Sequence, residues 1–250
     1  MNKATEAGFF TLGVPPDRYR LPHPRLGLPV ILLIVRVLCR AFDILREEKF
    51  KLAQAKEDQI TAALRAVIEN NLRQTGSVPG FNRSSYESVV RQSEVANYDG
   101  NHPAKEPDLC FKLRHDDAGP RMVLSEYDAL FVECKPVDTT HFAGRDYCDY
   151  GLIRFVVGDY AWAMQEGMML AYARDGRTIA DHLIPAMKQQ NRMTSLATVE
   201  LPQPYGAVDA AAHARAEPIH ISTHRRGFSW PDKKGKATDI TIYHLWHDCG

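Results

Sequence analysis

Between Asp128 and Lys135 the chain reads Asp-Ala-Leu-Phe-Val-Glu-Cys-Lys, and no other stretch constrains the fold as tightly. Its aliphatic and aromatic content predicts a strand. Successive strand side chains alternate between faces, so Glu133 and Lys135 project together, while Leu130, Val132 and Cys134 project the other way and can enter a core. Two ionisable groups side by side on an otherwise apolar strand are costly unless something satisfies them. A divalent cation would neutralise the carboxylate and leave the lysine facing a water or a phosphate oxygen.

The flanking sequence gives this strand its setting. Residues 1–28 are rich in proline and predict an irregular arm. A helical pattern runs from about Pro29 to Arg73, as two helices or one bent one, until Gly76 and Gly80 break it. Its opening block, Pro29 to Val35, is far shorter than the roughly 20 residues of a membrane span. It reads as the start of a buried helix or as an apolar surface for a partner. A strand is expected around Ser88–Ala96 and another at Asp108–Leu113, followed by a turn-rich segment at His115–Pro120. Residues 150–174 are apolar nearly all round and predict a buried helix. A further helix is expected over Thr178–Gln190, then a linker over Pro202–Ala216. Strands at Ile219–Thr223 and Asp239–Trp246 close the chain. This order predicts an α/β fold, a central mixed β-sheet flanked by helices, with an N-terminal helical arm (1–50), a main domain (51–250) and a C-terminal β-hairpin.

Pro107-Asp108 precedes Glu133-Cys134-Lys135 by 25 residues from aspartate to glutamate. These residues resemble the signature of the PD-(D/E)XK nuclease superfamily, whose restriction-endonuclease-like core is a mixed sheet flanked by helices. The resemblance covers roughly residues 50–175. It implies that Asp108 and Glu133 hold Mg²⁺ or Mn²⁺ and that Lys135 orients or activates the attacking water. Glu126 and Asp128 compete for the aspartate role, but their parity on the strand sends them to the face opposite Glu133, so Asp108 is preferred. Glu57 falls about 40° from the centre of the apolar stripe formed by Ile60, Ala63, Leu64, Val67, Ile68 and Leu72, taking about 100° per residue. It matches the acidic residue that many members of the superfamily carry on the helix before the sheet, and so joins Asp108 and Glu133 as a candidate metal ligand. Gln165 is a candidate supporting residue on the expected helix after the catalytic strand; its spacing to Tyr172 departs from the Gln-x-x-x-Tyr of some exonuclease-like branches.

The resemblance implies a Mg-dependent nuclease acting on DNA, with a role as effector in a restriction or anti-phage defence system and work within a complex or homo-oligomer as further expectations. The alternative is a nuclease-like subunit that no longer cuts and serves as a binding or assembly module. Lys and Arg number 31 against 31 Asp and Glu, which excludes coating of nucleic acid by bulk charge. A positive field must then be local. Arg225, Arg226, Lys233, Lys234 and Lys236, interleaved with Phe228 and Trp230, are the candidates for backbone contact and base stacking. His220, His224, His244 and His247 with Cys249 invite a weaker zinc reading, since strand spacing does not gather them as a helix would. His141 could approach a phosphate, with a plain loop histidine as the default. Five scattered cysteines without a C-x-x-C pair suit a reducing cytosol, and no membrane segment or signal peptide is expected.

Overall fold

Helix α1 (Leu28–Glu47) opens the folded part of the chain, with Gly27 at its N-cap and a proline in its first turn. Ile31, Ile34, Val35, Leu38, Phe42 and Leu45 recur at helical spacing and are buried, so the apolar block at 29–35 is the buried start of a helix. The structure is a computed structural model that describes residues 21–91, 94–102, 104–112, 125–205, 215–231 and 235–250. Helix α2 (Glu57–Val67) continues through a π-helical turn (Ile68–Leu72) and a last turn (Arg73–Thr75). It stops at Gly76, whose positive φ of 64° makes it a left-handed C-cap.

Strands β1 (Leu109–Phe111) and β2 (Leu130–Val137) form an antiparallel pair. A π-helical segment (Ala143–Leu152) runs into helix α3 (Ile153–Val156) and crosses to β3 (Glu166–Ala173), which lies parallel to β2. A second π-helical segment (Ile179–Leu183) and short helices α4 (Ile184–Met187) and α5 (Gln190–Ser195) follow. Strands β4 (Thr198–Pro204), β5 (His220–His224) and β6 (Ile240–Asp248) complete a six-stranded mixed sheet in the order β1-β2-β3-β6-β5-β4. Helices α1 and α2 cover one face: Thr61 Oγ1 meets the Tyr172 hydroxyl at 2.7 Å, and Phe42 stacks on His247. The 143–156 crossover covers the other, where the Tyr147 ring packs edge-on against Trp246. The chain is therefore α/β, with helices on both faces of a mixed sheet.

Three expectations need correction. Residues 150–174 are not one helix: the helical segment ends at Val156, and Glu166–Ala173 is a strand buried at every position. β3 lies between β2 and β6 with helices on both sides, so it loses the polar–apolar alternation that marks a half-exposed strand. The expected strand at 88–96 amounts to isolated bridges, Val90 to Cys110 and Val95 to Lys105. The expected linker begins inside β4, and its residues 206–214 lie outside the described residues, as does the turn-rich segment at His115–Pro120.

The basic loop also differs from its expected form. Arg226 is buried, and its guanidinium donates to the carbonyls of Ala161 (3.2 Å), Trp162 (3.0 Å), Met164 (3.0 Å) and Thr238 (2.7 Å). Phe228 and Trp230 are buried too, packed with Trp162, Ala163 and Ala237 in a second small core, so neither is an exposed stacking platform. Arg226 thus ties the β5–β6 loop to the turn before β3 and cannot contact nucleic acid. Arg226→Met is expected to lose about 2–3 kcal/mol of stability, because several buried carbonyls lose charge-assisted donors; chemical denaturation checks it, and an unchanged midpoint would contradict the role. Arg225 and Lys236 are exposed, while Lys233 and Lys234 lie outside the described residues.

Among the described residues no helix is long and apolar enough to cross a membrane, and all five cysteines are free and buried.

Candidate functional site

β1 begins opposite Val132, so from Glu133 onward β2 has no strand neighbour on that side among the described residues. The backbone groups exposed there need other partners. Asp108, immediately before β1, supplies one: its Oδ2 accepts the Cys134 N–H at 2.7 Å. Pro136 has the same parity as Cys134, so its missing N–H is one that would have pointed to this unpaired side. The sequence Cys-Lys-Pro therefore suits a strand that outruns its neighbour, and the gap it leaves is where the charged side chains gather.

Lys135 sits at the centre of that gap. Its Nζ lies 2.8 Å from Glu57 Oε1, 3.1 Å from Glu133 Oε1 and 4.0 Å from Asp108 Oδ2. Glu57 arrives from the first turn of α2, Asp108 from the entry to β1, and Glu133 from two residues before Lys135 on the same face. All four residues singled out by the sequence as catalytic or metal-binding are thus brought together. The lysine stem passes close to the crossover helix at Gly151, where an added Cβ would stand 2.8 Å from Met169 Cε and 3.3 Å from Lys135 Cγ. Glycine at 151 leaves the room that the stem uses.

Two residues of the site were not anticipated. Arg154 Nη1 lies 3.2 Å from Glu133 Oε1, and the Tyr160 hydroxyl donates to Glu133 Oε2. Their signal was an arginine and a tyrosine in the interior of the apolar stretch 150–174, masked by reading that stretch as one helix. Glu133 Oε1 is buried and accepts no aligned hydrogen bond, although two cations stand beside it. Burial and the neighbouring Asp108 push the Glu133 carboxyl up to about 7, against the pull of Lys135 and Arg154. Burial also raises Asp108 and Glu57, with Lys135 opposing in both cases. For Lys135 burial acts downward, but Glu133, Glu57 and Asp108 together outweigh it and hold the ammonium above the usual lysine range.

These groups line an open cleft of about 400 Å³, along with Asp58, Lys105 and Glu106. Five carboxylates face three cations there, so the cleft carries an unmet demand for positive charge. Asp58 pairs with Arg91, and Lys105 with Asp159 at 2.9 Å. Glu126 and Asp128 do not line this cleft. An adjoining cleft shares Glu57 and Asp58 and is lined by Lys56, His141 and Arg174; His141 Nδ1 there is 2.9 Å from Asp138 Oδ1.

Among the described residues no three acidic, histidine or cysteine side chains stand ready around one ion position. At the acidic cluster the reason is visible, since the lysine ammonium occupies the centre. The donor set nevertheless fits a hard divalent cation: three carboxylates and a buried Glu133 oxygen lacking a hydrogen bond. Gln165 belongs elsewhere. It precedes β3, and its Nε2 donates to the His23 carbonyl at 2.9 Å, while Glu166 Oε2 accepts the Leu26 N–H at 2.8 Å. Gln165 thus anchors the N-terminal arm and supports no catalytic group. The C-terminal histidines do not gather either: His220 bonds to Pro218 O, His247 stacks on Phe42, and His224 and His244 share Ser222. No family model, curated protein or solved structure matches the chain.

Proposed function

We propose that the chain is a metal-dependent nuclease that hydrolyses phosphodiester bonds in DNA through a core of the PD-(D/E)XK, restriction-endonuclease-like type. The observation that carries this reading is the convergence of Glu57, Asp108 and Glu133 on Lys135, at the unpaired end of β2 and in an open cleft. The order of helix α2, antiparallel β1 and β2, helical crossover and parallel β3 supports it.

Glu57, Asp108 and Glu133 would hold Mg²⁺ or Mn²⁺, which when bound would supply Lewis-acid polarisation of the phosphodiester and a more acidic water. The chain's own groups divide the remaining work. Lys135, whose ammonium stands among the three carboxylates, is placed to orient or activate the attacking water or to donate to a phosphate oxygen. Tyr160 fixes one oxygen of Glu133 and leaves the other beside Lys135 and Arg154. Asp108 is held in place by its bond to Cys134 N. A role as effector in restriction or anti-phage defence, within a complex, belongs to the same proposal; the neutral chain leaves the wider grip on DNA to local patches or a partner.

The test is incubation of purified protein with plasmid DNA and Mg²⁺ or Mn²⁺, beside Asp108→Asn and Lys135→Ala. The wild type is expected to cut and both variants to lose at least about 10²-fold in rate. Equal cutting by all three sinks the site. A wild type that binds Mn²⁺ and DNA without cutting favours the binding-module alternative.

A further inference from the structure

We propose that Arg154 is the residue that grips the substrate phosphate in this cleft, released for that task when Glu133 takes up its role as a metal ligand. The assignment rests on the nuclease reading above. Arg154 enters from the crossover helix, and 40% of its side-chain surface is exposed, against 12% for Lys135. The other cations of the cleft are committed. Lys135 is surrounded by three carboxylates, and Lys105 is pinned by Asp159 at 2.9 Å.

Among the described residues the only carboxylate within ion-pair distance of Arg154 is that of Glu133. That pair is poorly made. Nη1 stands 3.2 Å from Oε1, yet the oxygen accepts no aligned hydrogen bond. A guanidinium offers five donors in a planar fork that suits two oxygens of a phosphate, and a contact with the Tyr160 hydroxyl beside the misaligned one with Glu133 leaves part of that capacity unused. Glu133 is also the carboxylate with least solvent, its side chain 1% exposed, so its charge must be met from inside the cleft. With the cleft free of other cations, Arg154 and Lys135 meet it. With the Glu133 charge committed to a divalent ion, its hold on Arg154 weakens, and the half-exposed guanidinium can turn to an incoming phosphate. Glu133 would then couple metal occupancy to substrate grip, which favours metal before DNA.

Three measurements on wild type, Arg154→Met and Arg154→Lys test this: calorimetric binding of Mn²⁺ alone, binding of a duplex oligonucleotide in Ca²⁺ across a salt series, and plasmid cleavage in Mn²⁺. Arg154→Met is expected to bind Mn²⁺ at least as tightly as wild type, because a competing cation beside Glu133 is gone. Its duplex affinity should fall, with a dependence of log K on log salt shallower by about 0.9, the signature of one lost phosphate contact. Cleavage should fall at least about 10²-fold. Arg154→Lys should restore the salt slope but only part of the cleavage, since it keeps the charge and loses the fork. A mere counter-ion to Glu133 predicts otherwise: a changed melting temperature with an unchanged salt slope and unchanged cleavage. Wild-type slope and cleavage in Arg154→Met, or wild-type cleavage in Arg154→Lys should the methionine variant melt below the assay temperature, overturn the assignment and leave the nuclease reading standing. A wild type that neither binds Mn²⁺ nor cuts removes the nuclease reading itself.

Discussion

Lys135→Met is expected to lose at least about 10²-fold of cleavage and, in chelator, about 3 kcal/mol of stability that Mn²⁺ largely restores. Both effects have one source. Methionine keeps the stem that passes Gly151 but removes the ammonium that stands 2.8 Å from Glu57 and 3.1 Å from Glu133. Three carboxylates then face one another around an empty centre, and burial prevents water from screening them fully. Uptake of protons limits the penalty. A divalent ion binding only the folded state offsets it by mass action, so the Mn²⁺-induced rise in melting temperature should be larger in the variant than in wild type. Cleavage should not return with the fold, because the ammonium placed to orient the water is gone. Melting curves in EDTA and in Mn²⁺, beside a cleavage assay, separate the two effects. A variant that regains activity with its stability would show that Lys135 is only a structural counter-ion.

Asp108→Asn makes the complementary separation. The amide oxygen can still accept the Cys134 N–H that Asp108 takes at 2.7 Å, so the fold should survive while a ligand charge is lost. Asp108→Ala removes both, and the orphaned N–H adds an expected cost of about 1–3 kcal/mol. A site whose aspartate also caps an unpaired strand is thus better probed by the isostere than by alanine.

The parts of this site visible in the sequence are those governed by local periodicity. Glu133 and Lys135 share a face because a strand alternates, and Glu57 points inward because a helix turns by about 100° per residue. Asp108 followed from adjacency of strands. Arg154 and Tyr160 were hidden because β3 is buried on both faces and imitates an all-apolar helix, which erased the loop between crossover and strand. Only the sheet order, with β3 between β2 and β6, decides that ambiguity. Arg226, Phe228 and Trp230 misled for the opposite reason. A basic, aromatic loop has the same composition whether its side chains meet solvent or backbone carbonyls, and the carbonyls of Ala161, Trp162 and Met164 come from a distant part of the chain. Gln165 likewise finds its partner, His23, across 142 positions.

The second large effect is expected on acidification, and it comes from a buried chain of hydrogen bonds on the β5–β6 side of the sheet. Tyr147 Oη lies 2.9 Å from His244 Nδ1, His244 Nε2 2.8 Å from Ser222 Oγ, Ser222 Oγ 2.8 Å from His224 Nε2, and His224 Nδ1 2.9 Å from the Leu196 carbonyl. A carbonyl only accepts, so His224 carries its proton on Nδ1 and its Nε2 accepts from Ser222. The serine has a single proton, so its oxygen must accept from His244 Nε2–H, and His244 Nδ1 then accepts from the tyrosine. Both imidazoles are neutral in this arrangement. Burial holds His224 down to about 4, with the Leu196 carbonyl opposing, and burial holds His244 well below its ordinary range, with His224 and His220 adding to it. Unfolded, both rings titrate near 6.5. Below that pH the unfolded chain binds more protons than the folded one, so stability falls as pH falls, by up to about 1.4 kcal/mol per pH unit for each ring. Between pH 6.5 and pH 5 the loss should reach about 3 kcal/mol for the pair, because the slope is only half its limit at pH 6.5. Glu133 acts in the opposite sense over the same window, because its folded carboxyl is raised above its unfolded value and gains a proton as pH falls. The Glu133→Gln background removes the largest such term, and denaturant titrations there at pH 7, 6 and 5 read the histidines against the smaller opposing contributions of Asp108 and Glu57. A flat profile would mean that at least one ring takes up a proton inside the fold. Ser222→Ala should cost about 2–4 kcal/mol at pH 8, since it leaves the His224 acceptor and the His244 donor buried without partners. A variant as stable as wild type would mean that the serine links nothing the fold depends on.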